Sequence, residues 1–535
     1  MTQPELQPQD EYNKVLLANV HPAGWRNPEP AGRYNLVVIG AGTAGLVTAA
    51  GAAGLGARVA LVERHLMGGD CLNVGCVPSK AILHSAHAVA ALRDAPALGI
   101  HAAPAAAASP QVDFARVMER MREIRSRISA NDSVQRFRDE LGVDVFLGEA
   151  RFAGGDRIEV AGGGIGAGET NNETNSETNS ETNNRTLRFK RAVIATGARP
   201  VVPPIPGLAE AGYYTNESIF DLTELPTRML VIGAGPIGCE LSQAFRRFGS
   251  EVMLVEQGPQ FLPREDPEAA ELLRAALERD GLDLRLDTRV SEVEVNGDGK
   301  RITLERDGKK EGVDVDAILV GVGRAPNVLE LGLDEAGVAF DRNGVEVDDH
   351  LRTTNPRIYA AGDVCMRHKF THAADFAARS VIQNALFAVG PFGRKKLSAL
   401  SIPWCTYTQP EIAHVGLYEH EAAERGTEVE TFVRQLGDVD RAITEGEEEG
   451  FVKILVGKGS DRILGATIVA RNAGDMISEV SVAMAGGVGL SALASVIHPY
   501  PTQAEAIRQV GDAYNRTRLT PALKRLFAGW LALRR

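Results

Sequence analysis

Cys71 and Cys76 stand five residues apart in "GGDCLNVGCVPSK", Gly68 to Lys80, a stretch otherwise small and apolar. Two sulfurs this close are suited to forming and breaking a disulfide. The thiolate is the reactive form of a cysteine, and a helix N-terminus lowers its pKa. Pro78, as a first-turn residue, and the apolar run "AILHSAHAVAAL" predict a helix starting just after Cys76. Gly68, Gly69 and Gly75 let backbone approach a flat ring, and Lys80 can set positive charge beside a ring that becomes anionic. Two other readings are weighed. The pair could be buried as small hydrophobes, or form half of a zinc site. No second cysteine pair supports zinc, and no metal site is expected. Cys239, Cys365 and Cys405 are scattered singly and read as core residues.

What the sulfurs exchange electrons with follows from two glycine turns. Gly40, Gly42 and Gly45 form G-x-G-x-x-G, with Glu63 ending the following strand. Gly233, Gly235, Gly238 and Glu256 repeat the layout. The first glycine permits the turn, the second lets a pyrophosphate approach, and the third lets helix and strand pack closely. The helix N-terminus then offers free N–H groups to the anion, and the acid accepts ribose hydroxyls. Two dinucleotide sites beside a cysteine pair suggest nicotinamide, flavin, disulfide and substrate in sequence. The expected cofactors are FAD and NADH. Glu256 would repel a 2′-phosphate, which disfavours NADPH. Arg264, eight residues on, works the other way.

Placing these groups requires a particular set of elements. "YNLVVIGAGTAGLVTAAGAAGLGARVALVER" from Tyr34 and "TRMLVIGAGPIGCELSQAFRRFGSEVMLVEQ" from Thr227 each read strand, glycine turn, helix, strand. The uncharged run Asn35 to Ala57 is therefore predicted to be strand and helix, not a membrane span. The fold class is α/β: two Rossmann-like dinucleotide-binding domains plus a C-terminal α+β dimerisation domain. Expected boundaries are 1–33 for an N-terminal extension, 34–195 with 325–395 for the FAD domain, and 196–324 for the NAD(P) domain. The interface domain follows at 396–515, and a basic amphipathic helix at 516–535. Residues 162–186 are polar, low-complexity and predicted to be a disordered excursion at a hairpin tip. Their Asn-X-Thr triplets read as unglycosylated linker.

Composition fits this plan. The 535 residues are 44% hydrophobic and 24% charged, as in ordinary globular proteins. A net charge of −12 argues against general nucleic-acid binding. Five cysteines are too few for a disulfide scaffold and fit a reducing compartment. With no signal peptide at the start, the expected location is cytoplasmic.

From Tyr34 to Glu505 the chain resembles the pyridine nucleotide-disulfide oxidoreductase family. The cysteine segment carries the resemblance, with "ATGARP" (Ala195 to Pro200), "GVGRAPN" (Gly321 to Asn327) and "YAAGDV" (Tyr359 to Val364). The resemblance implies that Asp363 binds the flavin ribityl chain and that Glu240 pairs with Lys80 near the nicotinamide. Gly323 falls in the second of these markers and is assigned to cofactor binding. Cys76 would lie next to the flavin, and Cys71 would exchange with substrate. Homodimers are implied, with each active site completed by the other subunit.

The departure lies at "HPYPTQAE", His498 to Glu505. Disulfide reductases of the family have His-Pro-Thr-X-X-Glu, with histidine as acid/base. Alignment puts Tyr500 in that position, Glu505 in the glutamate position, and His498 two residues earlier. Tyrosine, with a pKa near 10, is a poor base at neutral pH. Mercuric reductases and soluble transhydrogenases share the tyrosine. The former carry a C-terminal Cys-Cys pair and the latter usually lack the redox pair, and in both respects this chain differs. The reading is a mercuric-reductase-like flavoprotein that passes electrons to a small-molecule or metal-ion acceptor. Dihydrolipoamide dehydrogenase-type, transhydrogenase or quinone-reductase activity, and a non-enzymatic flavin sensor, are the alternatives. The tail from Arg516 has six cations and no acid. It reads as a helix packed on the protein or its partner subunit, or as weak peripheral contact with anionic lipid.

Overall fold

The computed structural model describes residues 4–101, 111–162, 184–297, 299–390 and 392–535. The first glycine turn lies inside a parallel sheet. Its strands run, in spatial order, Asp144–Leu147, Val59–Glu63, Arg33–Ile39 and Arg185–Ile194. Ile358–Ala360 extends it in parallel beside the C-terminal end of Arg185–Ile194. The run Asn35 to Ala57 is a buried strand followed by the helix Thr43–Gly54, as its glycine spacing predicts. That helix packs on Thr371–Ile382 through small side chains. Ala44, Ala49 and Ala52 share one core cluster with Ala373, Ala374 and Ala377.

Arg157–Ala161 pairs antiparallel with the start of Arg185–Ile194. The predicted hairpin therefore exists around the low-complexity segment, and Arg185 and Thr186 belong to its strand. Residues 163–183, with the Asn-X-Thr triplets, lie outside the described residues.

The second glycine turn sits in a four-stranded parallel sheet. Its order is Asp283–Arg285, Glu251–Val255, Arg228–Ile232, Ala317–Val320. An antiparallel sheet of Arg289–Asn296, Gly299–Arg306 and Lys309–Val315 adjoins it. Ala198–Pro200 and Arg324–Pro326 pair antiparallel where the chain enters and leaves this unit. The last sheet is antiparallel throughout: Trp404–Thr406, Glu411–Gly416, Ile463–Ala470, Phe451–Gly457, Val429–Gln435. Helices Ala473–Gly486 and Glu505–Thr517 cover one face of it. The architecture is the expected α/β class.

Two terminal segments differ from expectation. The residues before Arg33 do not form a mere polar extension. Asp10 caps the helix Glu11–Val20, and Leu16, Val20 and Trp25 are buried in the core beside the first sheet. The period of that short helix is masked in the sequence by its polar, proline-bearing flanks. At the other end, helix Pro521–Ala532 forms but buries none of its residues. Among the described residues nothing packs over it, so packing on its own chain, one reading of the tail, is not what the structure shows. Among the described residues no helix is long and apolar enough to cross a membrane.

Candidate redox site

Helix Cys76–Asp94 begins at the second cysteine, with Gly75 as its cap residue. Cys76 therefore sits where unpaired N–H groups and the positive end of the helix dipole lower a thiol pKa. Cys71 lies in the short preceding helix Gly69–Asn73. The two cysteines are neighbouring free thiols. Interaction with the Cys71 thiol pulls the Cys76 pKa down to about 6, assisted by the Thr371 hydroxyl, 3.3 Å from its sulfur, and by the Lys80 charge. The same interaction, with burial, pushes Cys71 up. The pair thus shares its proton unequally, with the thiolate at Cys76.

Lys80 is held by Glu240, Nζ to Oε2 2.7 Å, across 160 residues of sequence. The Glu240 side chain is buried, and its other oxygen accepts the Tyr407 backbone N–H at 3.0 Å. The Tyr407 ring lies under the ammonium, 4.5 Å from its centroid. These contacts fix the lysine facing the cavity beside Cys76.

One cavity of about 2840 Å³ joins this cluster to both glycine turns. The glycines divide their work as the motif requires. At Gly40 (φ +99°) a Cβ would lie 2.3 Å from the Ala195 carbonyl oxygen, and at Gly45 1.7 Å from that of Gly40. Gly233 (φ +104°) and Gly238 repeat this, with 2.7 Å to Gly321 O and 2.1 Å to Gly233 O. The middle glycines are different: Gly42 is uncrowded to 3.7 Å, and nothing approaches Gly235 within 4 Å. Open space before a helix N-terminus is what a pyrophosphate needs.

The two acids are also placed alike. Glu63 accepts the N–H groups of Ala41 (2.6 Å) and His65 (2.7 Å), and Glu256 those of Ala234 and Gly258, both at 3.0 Å. Each is tied to its glycine turn yet lines the cavity with lone pairs to spare. Burial pushes the Glu63 carboxyl up despite these bonds. Arg264 lines the cavity too, as does Gly323.

Several residues were not singled out from sequence. Arg324 donates to Asp70, immediately before Cys71, and lies 3.6 Å from Asp363. Burial raises the Asp363 carboxyl, and the guanidinium opposes it. Arg125, 1% exposed, donates to the Asn73 carbonyl at 2.6 Å and to Asn13 Oδ1 at 2.7 Å. It links the redox loop to the N-terminal helix. The buried atoms Asn73 Oδ1, Arg125 Nε and Arg324 Nε have no partner. All three residues line the cavity. Unsatisfied polar atoms on the walls of a cavity that glycines keep open fit a large polar cofactor such as FAD. Asp70, Asn73 and Arg324 sat in quoted motifs, but nothing local marked them, and Arg125 sat in none. Cys405, read as core, is half-buried and lines the cavity near Tyr407, because its strand is the edge of the last sheet.

Tyr500, Glu505 and His498 are not brought to the sulfurs within one chain. None lines the cavity. Tyr500, 71% exposed, donates to Asp440 at 2.9 Å, which raises its pKa. Glu505 accepts from Arg508 at 2.7 Å. His498 Nε2 lies 3.0 Å from Glu479.

Comparison with known proteins agrees with the geometry. The family model described as pyridine nucleotide-disulphide oxidoreductase matches residues 34–380, and that of the family's dimerisation domain matches 402–510. The chain is 34% identical over 476 residues to a mercuric reductase of Bacillus cereus, covering 89% of this chain and 70% of that protein. It is 34% identical over 493 residues to a dihydrolipoyl dehydrogenase of Thermus scotoductus, covering 90% and 98%. Among solved structures, the HOCl-induced flavoprotein disulfide reductase RclA of Escherichia coli superposes with a TM-score of 0.75 at 27% identity, covering 90% of this chain and 99% of that one.

Proposed function

This chain belongs to the pyridine nucleotide-disulphide oxidoreductase family, whose members are FAD-dependent enzymes, and from that premise we propose that it couples NADH oxidation to reduction of the Cys71–Cys76 disulfide and onward to a mercuric-reductase-like acceptor. The observation that carries this reading is the cysteine pair polarised toward Cys76 beside the Lys80–Glu240 pair. FAD would be held by Gly40, Gly42, Gly45, Glu63, Lys80 and Asp363. Bound there, a flavin supplies the exchange between hydride chemistry and electron-pair delivery to sulfur. Gly233, Gly235, Gly238, Gly323, Glu240 and Glu256 would hold the nicotinamide cofactor. The balance is NADH and the disulfide giving NAD⁺, one thiol at Cys71 and one thiolate at Cys76. The chain's own share is to keep Cys76 ionised, to fix Lys80, and to leave Cys71 free for the acceptor.

The NADH preference rests on Glu256, with Arg264 the nearest argument for NADPH. We place the domain boundaries at 195/196 and 324/325, close to the two-strand ribbon of Ala198–Pro200 with Arg324–Pro326. The dimerisation domain supports a homodimer. Tyr500 and Glu505 would then complete the partner's acceptor site. Five cysteines, too few for a disulfide scaffold, support a reducing cytoplasm as its location.

Tyr500 donates a hydrogen bond to Asp440 that raises its pKa and makes it a poor base, which favours an acceptor that binds thiolates directly, such as a soft metal ion. The His498–Glu479 pair favours a second reading, dihydrolipoamide-type disulfide exchange, because an imidazole oriented by a carboxylate is suited to moving thiol protons. NADH oxidation by the purified protein, assayed with Hg(II), lipoamide, oxidised glutathione, a quinone and an NADP⁺ analogue, tests both. Turnover with Hg(II) or a disulfide that vanishes in Cys71→Ala is expected. Undiminished turnover of every acceptor in that variant would remove the cysteines from the mechanism.

A further inference from the structure

The helix Pro521–Ala532 begins beyond residue 510, where the dimerisation-domain match ends. Its start is fixed by local capping. The Thr520 hydroxyl caps it by accepting the Leu523 N–H at 3.3 Å, and Pro521 occupies the first turn. Arg534 and Arg535 follow its C-terminal end, where cations favour the helix dipole. Leu523, Leu526, Phe527, Trp530 and Leu531 recur at three- and four-residue steps and so make one stripe. That stripe is open: Leu526 is 66%, Phe527 47%, Trp530 57% and Leu531 60% exposed. The opposite face carries only Ala528, Gly529, Ala532 and Arg525. An apolar patch of this kind marks a contact surface.

Charge selects the occupant. Every ionisable side chain after Asp512 other than Tyr514 is a cation: Arg516, Arg518, Lys524, Arg525, Arg534 and Arg535. Without these six the formal net charge of −12 becomes −18. Cation and acid are therefore segregated to the tail and the body. A protein-covered stripe would not require flanking cations with no acid among them. A cationic helix with Trp, Phe and Leu on one face is the composition that lies in the headgroup region of an anionic bilayer. The Arg534 guanidinium over the Trp530 ring, 5.3 Å from its centroid, joins the two kinds of group at one end. Twelve residues span about 18 Å, short of the roughly 30 Å hydrocarbon core, so the helix lies on the surface and does not cross it.

We propose that residues 516–535 form a peripheral anchor that docks the protein on an anionic lipid surface, with the acidic body facing water. Two tails in a homodimer would strengthen the attachment by avidity.

Flotation of the FAD-loaded full chain with vesicles tests this. The probes are phosphatidylcholine alone and phosphatidylcholine mixed with phosphatidylglycerol, each at low and high salt. Binding to the mixed vesicles only, weakened by salt, is expected. Deleting 516–535 should abolish it, and Lys524→Glu with Arg525→Glu should weaken it at least about tenfold. Trp530→Ser should weaken it in both salts. NADH oxidation by these variants without vesicles, and their molar mass in solution, should stay unchanged. Absence of binding to either vesicle would overturn the proposal. So would loss of dimer mass on deletion, which would show the stripe to be covered by a second copy.

Discussion

At the scale of single residues, the redox site works by unequal sharing of a proton. Cys76 gains a thiol donor from Cys71, a hydroxyl from Thr371 and the Lys80 charge. Its alkylation rate, followed by peptide mapping against pH, should show a midpoint near about 6. Lys80→Met removes the nearby cation and should move that midpoint to higher pH. An unmoved midpoint would mean that the lysine serves only Glu240. Glu256 can be tested at the same scale. Glu256→Arg should cut kcat/KM for NADH by about tenfold or more and raise it for NADPH, since a cation attracts the 2′-phosphate. Part of the loss would come from freeing the Ala234 and Gly258 amides.

At the scale of elements, the two glycine turns are independent devices of the same design. Gly238→Ala would force a Cβ to 2.1 Å from Gly233 O. The variant should retain flavin colour and lose reduction by NADH. Gly45→Ala, with 1.7 Å to Gly40 O, should lose the flavin itself. A Gly45→Ala protein that stays fully yellow would contradict the assignment of that turn. The N-terminal helix acts on a third element. Arg125→Met leaves the Asn73 carbonyl and Asn13 oxygen without their donor, and buried groups so treated cost about 1–3 kcal/mol each. Urea unfolding should report that loss, and flavin release should quicken because Asn73 lies in the redox loop.

The whole molecule also stores a pH dependence. Burial raises the Glu411 carboxyl to about 7 from 4.5, with Asp475 and Glu240 adding to the shift and the Gly474 N–H, 2.8 Å away, opposing it. As pH rises from about 4.5 to about 7, the unfolded chain loses this proton first. Stability therefore falls across that window, by at most about 3 kcal/mol. Glu411→Gln should flatten the corresponding fall in Tm. An identical slope in the variant would assign it to other groups.

The sequence by itself determined whatever depends on near neighbours. The turn geometry of Gly40 and Gly233, the helix start at Cys76, the strand-and-helix reading of Asn35 to Ala57 and the cysteine spacing are all set within a few residues. Backbone sterics and hydrogen bonding act at that range. The Lys80–Glu240 pairing was legible only through family resemblance, because nothing local connects residues 160 apart. Tertiary structure alone decided that Arg324 bridges Asp70 and Asp363 and that Arg125 ties the first helix to the redox loop. It also decided that Cys405 faces the cavity and that the last helix finds no cover among the described residues of its own chain. Those facts depend on which surfaces meet, and burial and charge pairing are properties of packed space, not of spacing along the chain.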